Sequence, residues 1–199
     1  MKKHAIAAAA LCALLSGAAF AQTAEGPWLV RARAVHLDSA NGDSTGLGLA
    51  INNKWMPEFD ISYFFSPKVA VELVLTVPQK HTLTSRGTTI GSFKHLPPTL
   101  MAQYHFDPLG SGAFKPYVGA GINYTRFSTV SLPPGVDIKR SSWGPALQVG
   151  VDIPLTKQLS LNFDLKKVYI RTDVSAGGAN IGTFKADPTL LGVGLGWRF

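Results

Sequence analysis

Over most of its length this chain repeats its hydrophobicity every two residues, the period of a β-strand with one greasy face. Val69, Val71, Leu73, Leu75 and Val77 share one face, and Ala70, Glu72, Val74 and Thr76 the other. Phe59, Ile61, Tyr63 and Phe65 oppose Glu58, Asp60, Ser62 and Phe64 in the same way, and Val118, Ala120, Ile122 and Tyr124 oppose Tyr117, Gly119, Gly121, Asn123 and Thr125. Trp143, Leu147, Val149, Val151 and Ile153 alternate with Ser142, Gly144, Ala146, Gln148, Gly150 and Asp152. Leu159, Leu161, Phe163 and Leu165 alternate with Ser160, Asn162, Asp164 and Lys166, while Leu191, Val193, Leu195, Trp197 and Phe199 stand against Gly192, Gly194, Gly196 and Arg198. Adding strands near Trp28 to Leu37 and Thr99 to Phe106 brings the predicted number to eight.

The connections alternate in length. Ser66-Pro67-Lys68 and Pro154 to Lys157 are tight, whereas the segments near 38–54, 80–96, 128–140 and 172–187 are long, polar and expected to be loops. Short turns at one end, long loops at the other and an even strand count predict an all-β, eight-stranded antiparallel transmembrane β-barrel. A soluble barrel or sandwich shares the alternation but turns its greasy face inward.

The chain's beginning favours export. Lys2 and Lys3 precede an apolar stretch from Ala5 to Phe20, and Ala19-Phe20-Ala21 has the small-x-small form of a cleavage site, so residues 1–21 read as a signal peptide and 22–199 as the barrel. Cys12, the single cysteine, lies in that segment behind Leu11, which does not suit lipid attachment. Beyond residue 21 no run approaches the roughly 20 apolar residues of a membrane helix, although 46% of the chain is hydrophobic. The final strand, with Trp197 and Phe199 at its end, resembles the signal read by the barrel assembly machinery. Without Lys2 and Lys3 the 19 basic residues become 17, scattered against 12 acidic ones, which does not suit nucleic acid.

Three blocks carry a family resemblance: His95-Leu96-Pro97-Pro98-Thr99-Leu100-Met101-Ala102-Gln103-Tyr104, Pro116 through Thr125, and Ser142-Trp143-Gly144 leading to Gln148-Val149-Gly150-Val151-Asp152. In this order and spacing they resemble the OmpW family of outer-membrane proteins over essentially the whole mature chain. That resemblance implies an eight-stranded barrel with a narrow hydrophobic channel and an association with uptake of small hydrophobic molecules, alkanes included.

With both termini on the periplasmic side, odd strands run outward and each inward residue gains a depth. The lower interior collects Arg31, Arg33, Glu72, Gln103, His105, Asp152, Asn162, Asp164 and Arg198, and of these Arg31, Arg33, Glu72, Asp152, Asp164 and Arg198 are expected to pair into an ionic constriction. The upper interior collects Val35, Leu37, Val74, Met101, Phe127, Val168, Ile170 and Leu190, a lining where an apolar solute can leave water, with a solid packed plug as the alternative. A solute stopped by charge below must leave sideways, and prolines weaken a strand ladder, so Pro97, Pro98 and Pro145 mark candidate gaps. Strict alternation puts Lys167 on the lipid side, which asks either for a place near the outer interface or for a bulge.

The glycines of the last strand are followed by no helix and form no nucleotide loop. The histidines show no metal spacing, and no cofactor is expected. His81, Ser85 and His95 share one long segment but have no acid beside them there, which argues against an enzyme acting on lipid A. Lys54, Lys80, Arg86, Lys94, Lys139, Arg140, Arg171 and Lys185 outnumber Asp38, Asp43, Asp137, Asp173 and Asp187 in the outer segments, so membrane lipid and lipopolysaccharide are expected neighbours. The functional expectation is a passive outer-membrane channel for small hydrophobic solutes, and the alternative is a structural or adhesive barrel without transport.

Overall fold

The computed structural model describes residues 26–110 and 113–199; residues 1–21, expected to be a signal peptide, lie outside them. In chain order the strands are β1 (Trp28–Asp38), β2 (Gly42–Asp43), β3 (Leu49–Ile51), β4 (Lys54–Ser66), β5 (Val69–Thr76), β6 (Gln79–Ser85), β7 (Thr88–Leu96), β8 (Thr99–His105), β9 (Lys115–Ser131), β10 (Val136–Ile138), β11 (Ser141–Pro154), β12 (Leu159–Val168), β13 (Arg171–Ala176), β14 (Ala179–Lys185) and β15 (Thr189–Arg198). The eight predicted segments are β1, β4, β5, β8, β9, β11, β12 and β15. They pair antiparallel in that order, and β15 pairs back onto β1, with Leu29↔Arg198 near one end and Asp38↔Thr189 at the other. Closure leaves no strand edge, which a hydrocarbon environment requires of any spanning sheet.

The direction of the side chains decides between a soluble and a membrane barrel. Along β1 the odd residues from Leu29 to Leu37 are buried and Trp28, Val30, Ala32 and Ala34 point out. Phe65 and Trp143 are 68% and 67% exposed, and Phe59, Leu75, Leu147, Leu165, Leu191 and Leu195 are exposed as well. An outward wall of large apolar side chains is costly in water and favourable against acyl chains. Aromatic contacts mark two rims. Trp28–Tyr63 (4.8 Å) and Tyr104–Phe106 (5.2 Å) lie at the end holding the short turns, and His36–Trp55 (5.2 Å) and Tyr124–Trp143 (4.7 Å) lie toward the other.

Of the four segments expected to be loops, those near 80–96 and 172–187 are largely β-structure, and those near 38–54 and 128–140 hold shorter strands. The hairpin β6–β7 turns at Arg86-Gly87 and the hairpin β13–β14 at Gly177-Gly178, each a pair of positive-φ residues of the kind a two-residue turn demands. β3 adds to β6, β7 adds to the upper end of β9, and β10, β13, β14 and β2 form a second sheet. Each contributes a few apolar residues, among them Leu49, Leu83, Phe93, Ile138, Val174 and Phe184, to one cluster above the barrel. Threonine, serine and glycine on their outer faces gave these stretches the composition of loops. Lys167 needs no bulge: β12 keeps an unbroken register, and at its upper end the ammonium reaches the Asp187 carbonyl at 2.5 Å and Thr189 Oγ1 at 3.3 Å.

Small inward residues let large ones cross the narrow lumen. A Cβ on Gly150 would stand 2.3 Å from the Tyr117 phenol, and one on Gly194 would stand 2.0 Å from the Ala32 carbonyl. Gly150→Val is therefore expected to remove the compact, fast-migrating band on unboiled SDS gels, since overpacking alone costs about 1–3 kcal/mol. Ala120→Val, on the outward face of β9, is expected to keep it.

Candidate functional site: the lumen

The lower lumen is a network of buried charge. Arg31 and Arg33 occupy successive inward positions of β1, and neither guanidinium is exposed. Arg31 reaches Asp152 of β11 at 2.7 Å, Glu72 of β5 at 2.9 Å and Asp60 of β4 at 3.4 Å. Arg33 pairs with Asp60, and it lies 3.1 Å from Glu58 of β4 and 3.1 Å from Asp164 of β12. Lys166, one inward step above Asp164, bridges Glu58 at 2.7 Å and Asp164 at 2.5 Å. Three cations thus meet five carboxylates contributed by four strands.

Neutral groups fill the remaining bonds. The Tyr117 hydroxyl donates to Asp164 (2.8 Å), Asn162 donates to Asp152 (2.8 Å), and Gln148 donates to Asp164 (2.7 Å) and Glu72 (3.0 Å). Buried ions are tolerated only when paired and hydrogen-bonded like this, and the result is a cross-braced floor in which the Arg31, Arg33 and Asp60 side chains have no exposed surface. Arg198 lies below it: its guanidinium covers the Phe64 ring at 3.9 Å, and its Nε donates to the Gly26 carbonyl at 2.8 Å. Both residues line a vestibule of about 440 Å³ at the short-turn end, with His105 and Asp152 at its top.

Above Lys166 the character changes within one residue step. Val35, Leu37, Val74, Met101, Phe127, Val168, Ile170 and Leu190 are all buried in one cluster, which continues upward through Met56, Phe93 and the residues of the two outer sheets. Two apolar cavities are set in it. The lower one, about 20 Å³, is bounded by Leu37, Met56, Val74, Val168, Leu190 and the Glu58–Lys166 pair, and extends to Thr76, His95, Pro97 and Thr99 at the wall. The upper one, about 40 Å³, lies among Leu49, Leu83, Phe93, Ile138, Val174 and Phe184.

The wall beside the lower cavity is incompletely laced. The β5–β8 ladder ends at Val74↔Thr99, and pairing resumes only at Gln79↔His95 between β6 and β7. Pro78 on one side and Pro97-Pro98 on the other have no N–H with which to continue it. Pro98 is held to β9 instead, its carbonyl accepting from Tyr124 N at 3.0 Å. Pro145 makes no comparable break. Its carbonyl accepts from Tyr169 N at 3.0 Å, and Gly144 beside it packs so closely on the Tyr169 carbonyl that a Cβ would lie 1.9 Å away. The expectation of a gap there is corrected by that seal.

Glu58, Asp60, Lys166, Tyr117 and Gln148 belong to the network although the sequence grouped only their faces, not their depth. Their inward direction was legible from alternation; which of them meet depends on strand stagger. A further pair comes together unannounced: His81 and His95, on adjacent strands outside the eight spanning ones, stack at 4.7 Å. Burial holds both imidazoles neutral, lowering His81 to about 4 and His95 to about 3, with Lys54 acting in the same direction. Ser85 does not join them; it lies four residues beyond His81 and donates to the Leu47 carbonyl at 2.7 Å.

Comparison with known proteins agrees with this architecture. Residues 24–199 match the model of the OmpW family. Outer membrane protein W of Escherichia coli K12 is 34% identical with both chains covered in full. A dibenzothiophene metabolism operon protein, PahQ of Pseudomonas aeruginosa, is 30% identical over 71% of this chain and 70% of its own. The crystal structure of the outer membrane protein OprG from Pseudomonas aeruginosa superposes with a TM-score of 0.75 at 27% identity, covering 89% of this chain and 99% of that one.

Removing one partner of a buried ion pair strands the other. Lys166→Met leaves Glu58 and Asp164 without their ammonium, and a loss of about 3–5 kcal/mol is expected in urea unfolding of the lipid-reconstituted protein. Lys157→Met, on the exposed turn after β11, is expected to stay within about 0.5 kcal/mol of the parent.

Proposed function

The chain belongs to the OmpW family of bacterial outer-membrane proteins, and on that premise we propose that it is a passive channel for small hydrophobic molecules. Solutes enter from outside into the apolar upper lumen and leave sideways into the membrane. One observation carries the reading: the lumen is barred below by paired charge and is unlaced at Pro97-Pro98, beside the same cavity. A solute that has given up its water in the upper lumen meets a floor it cannot pass and a wall that opens onto acyl chains.

The energetics favour entry of apolar compounds. Burying roughly 200 Å² of apolar surface is worth about 5 kcal/mol at about 25 cal/mol per Å², whereas a hydrated ion gains nothing from such walls. The lower cavity has room for about one water molecule, so passage requires side chains to swing aside. Met56 and Met101 suit this, because an unbranched thioether changes shape at little cost. A relative named for dibenzothiophene metabolism supports apolar solutes as the cargo.

Val74→Trp fills the lower cavity, and entry of naphthalene into cells with intact lipopolysaccharide is expected to drop roughly ten-fold, equivalent to about 1.4 kcal/mol of added barrier. Pro97→Ala with Pro98→Ala supplies the missing donors and is expected to slow entry as well. Naphthalene entry that is the same in the parent, both variants and a deletion strain contradicts transport and leaves a structural or adhesive barrel.

A further inference from the structure

The buried polar groups of the lumen are nearly all satisfied, which makes the exceptions informative. Near the lower cavity, Asn123 donates to Thr99 Oγ1 at 2.8 Å and accepts from Thr125 at 2.6 Å, and Lys166 holds two carboxylates. His81 and His95 differ. They are 0% and 2% exposed, and the Nε2 atom of each has no hydrogen-bond partner. A buried imidazole nitrogen without a partner costs about 1–3 kcal/mol, and such an atom calls for an explanation.

Chemistry narrows what the partner is. His81 Nδ1 lies 3.1 Å from the Asn52 carbonyl, which can only accept, so Nδ1 carries the ring's proton and Nε2 is a bare lone pair. That atom needs a donor. The location adds the rest: His95 lines the lower cavity, and His81 packs at 6.1 Å on Phe93, which lines the upper one, so the pair stands between the two apolar cavities. Among the described residues no group of three or more His, Cys, Asp or Glu surrounds them, which does not suit a metal ion.

We propose that the stacked His81–His95 pair is a hydrogen-bonding station between the cavities, selecting apolar solutes that carry a hydroxyl group, such as hydrophobic alcohols and phenols. A hydroxyl donates to His81 Nε2, which a ketone, an ether or an alkane cannot do, and its oxygen remains free to accept from His95. The assignment rests on the uptake reading and refines it: the cavities supply affinity for the apolar body, and the two rings supply discrimination at its polar end.

Two measurements test it. The first compares protein-dependent entry of 2-naphthol and naphthalene into cells with intact lipopolysaccharide, for the parent and for His81→Phe with His95→Phe, which keeps two stacked rings and removes the lone pairs. The ratio of naphthol to naphthalene entry is expected to fall roughly ten-fold, a change of about 1.4 kcal/mol, and an unchanged ratio overturns the proposal. The second uses the unaltered protein in lipid bilayers, so it does not depend on the variant folding: the ¹⁵N resonance of His81 Nε2 is expected to move on addition of 2-naphthol and not of naphthalene. A resonance that ignores naphthol, because an ordered water only occupies the site, or that responds to zinc alone, overturns the proposal. If neither probe enters through the parent while the resonance moves with naphthol, the transport reading fails and the binding site stands.

Discussion

Two arginines on successive inward positions of β1 cannot be left alone in a lumen this narrow, and much of the molecule answers to them. Their guanidinium groups draw carboxylates from β4, β5, β11 and β12, so partners far apart in sequence are tied across the barrel as well as around it. The same pairing that makes the ions tolerable fills the floor, because the charged groups are engaged with one another across it. On the proposed uptake reading the route of a solute in the upper lumen follows from this: with paired charge below it, its way out lies through the wall.

The ladder of the wall is weakest where backbone chemistry interrupts it. An antiparallel barrel is strong because each strand satisfies both neighbours, and proline removes a donor without removing bulk. Pro145 shows that proline alone is insufficient. Its carbonyl is still used by Tyr169, and its neighbour is a glycine packed on that same tyrosine. At Pro97-Pro98 a third proline, Pro78, faces them across the seam, and several residues on both sides lack ladder partners between the two registers. The cavity extends to that stretch of wall.

The period of two made the eight spanning strands legible nearly residue by residue, because a membrane wall demands strict alternation and punishes each lapse. The polarity of each inward position was legible for the same reason, and so the charged floor and apolar upper half were expected before Glu58, Asp60 and Lys166 were known to share one network. Which inward residues touch was not legible, since it depends on the stagger between strands. The outer sheets were hidden by weak contrast: β6 and β7 carry threonine, serine and lysine outward and only Gln79, Leu83, Phe93 and two histidines fully inward. The dipeptides Arg86-Gly87 and Gly177-Gly178, which make the two-residue turns, are the signal for hairpins that the loop reading passed over.

The proposed function joins a floor of paired ions to an unlaced seam in the wall, and so describes a channel that carries apolar solutes and refuses current. The most direct measurement is the conductance of the purified protein in a planar lipid bilayer under a steady voltage in salt solution. Closed baselines without a sustained ohmic current are the result this account predicts. A stable current proportional to voltage would mean a continuous water-filled path through the level of Arg31 and Arg33, and would contradict it.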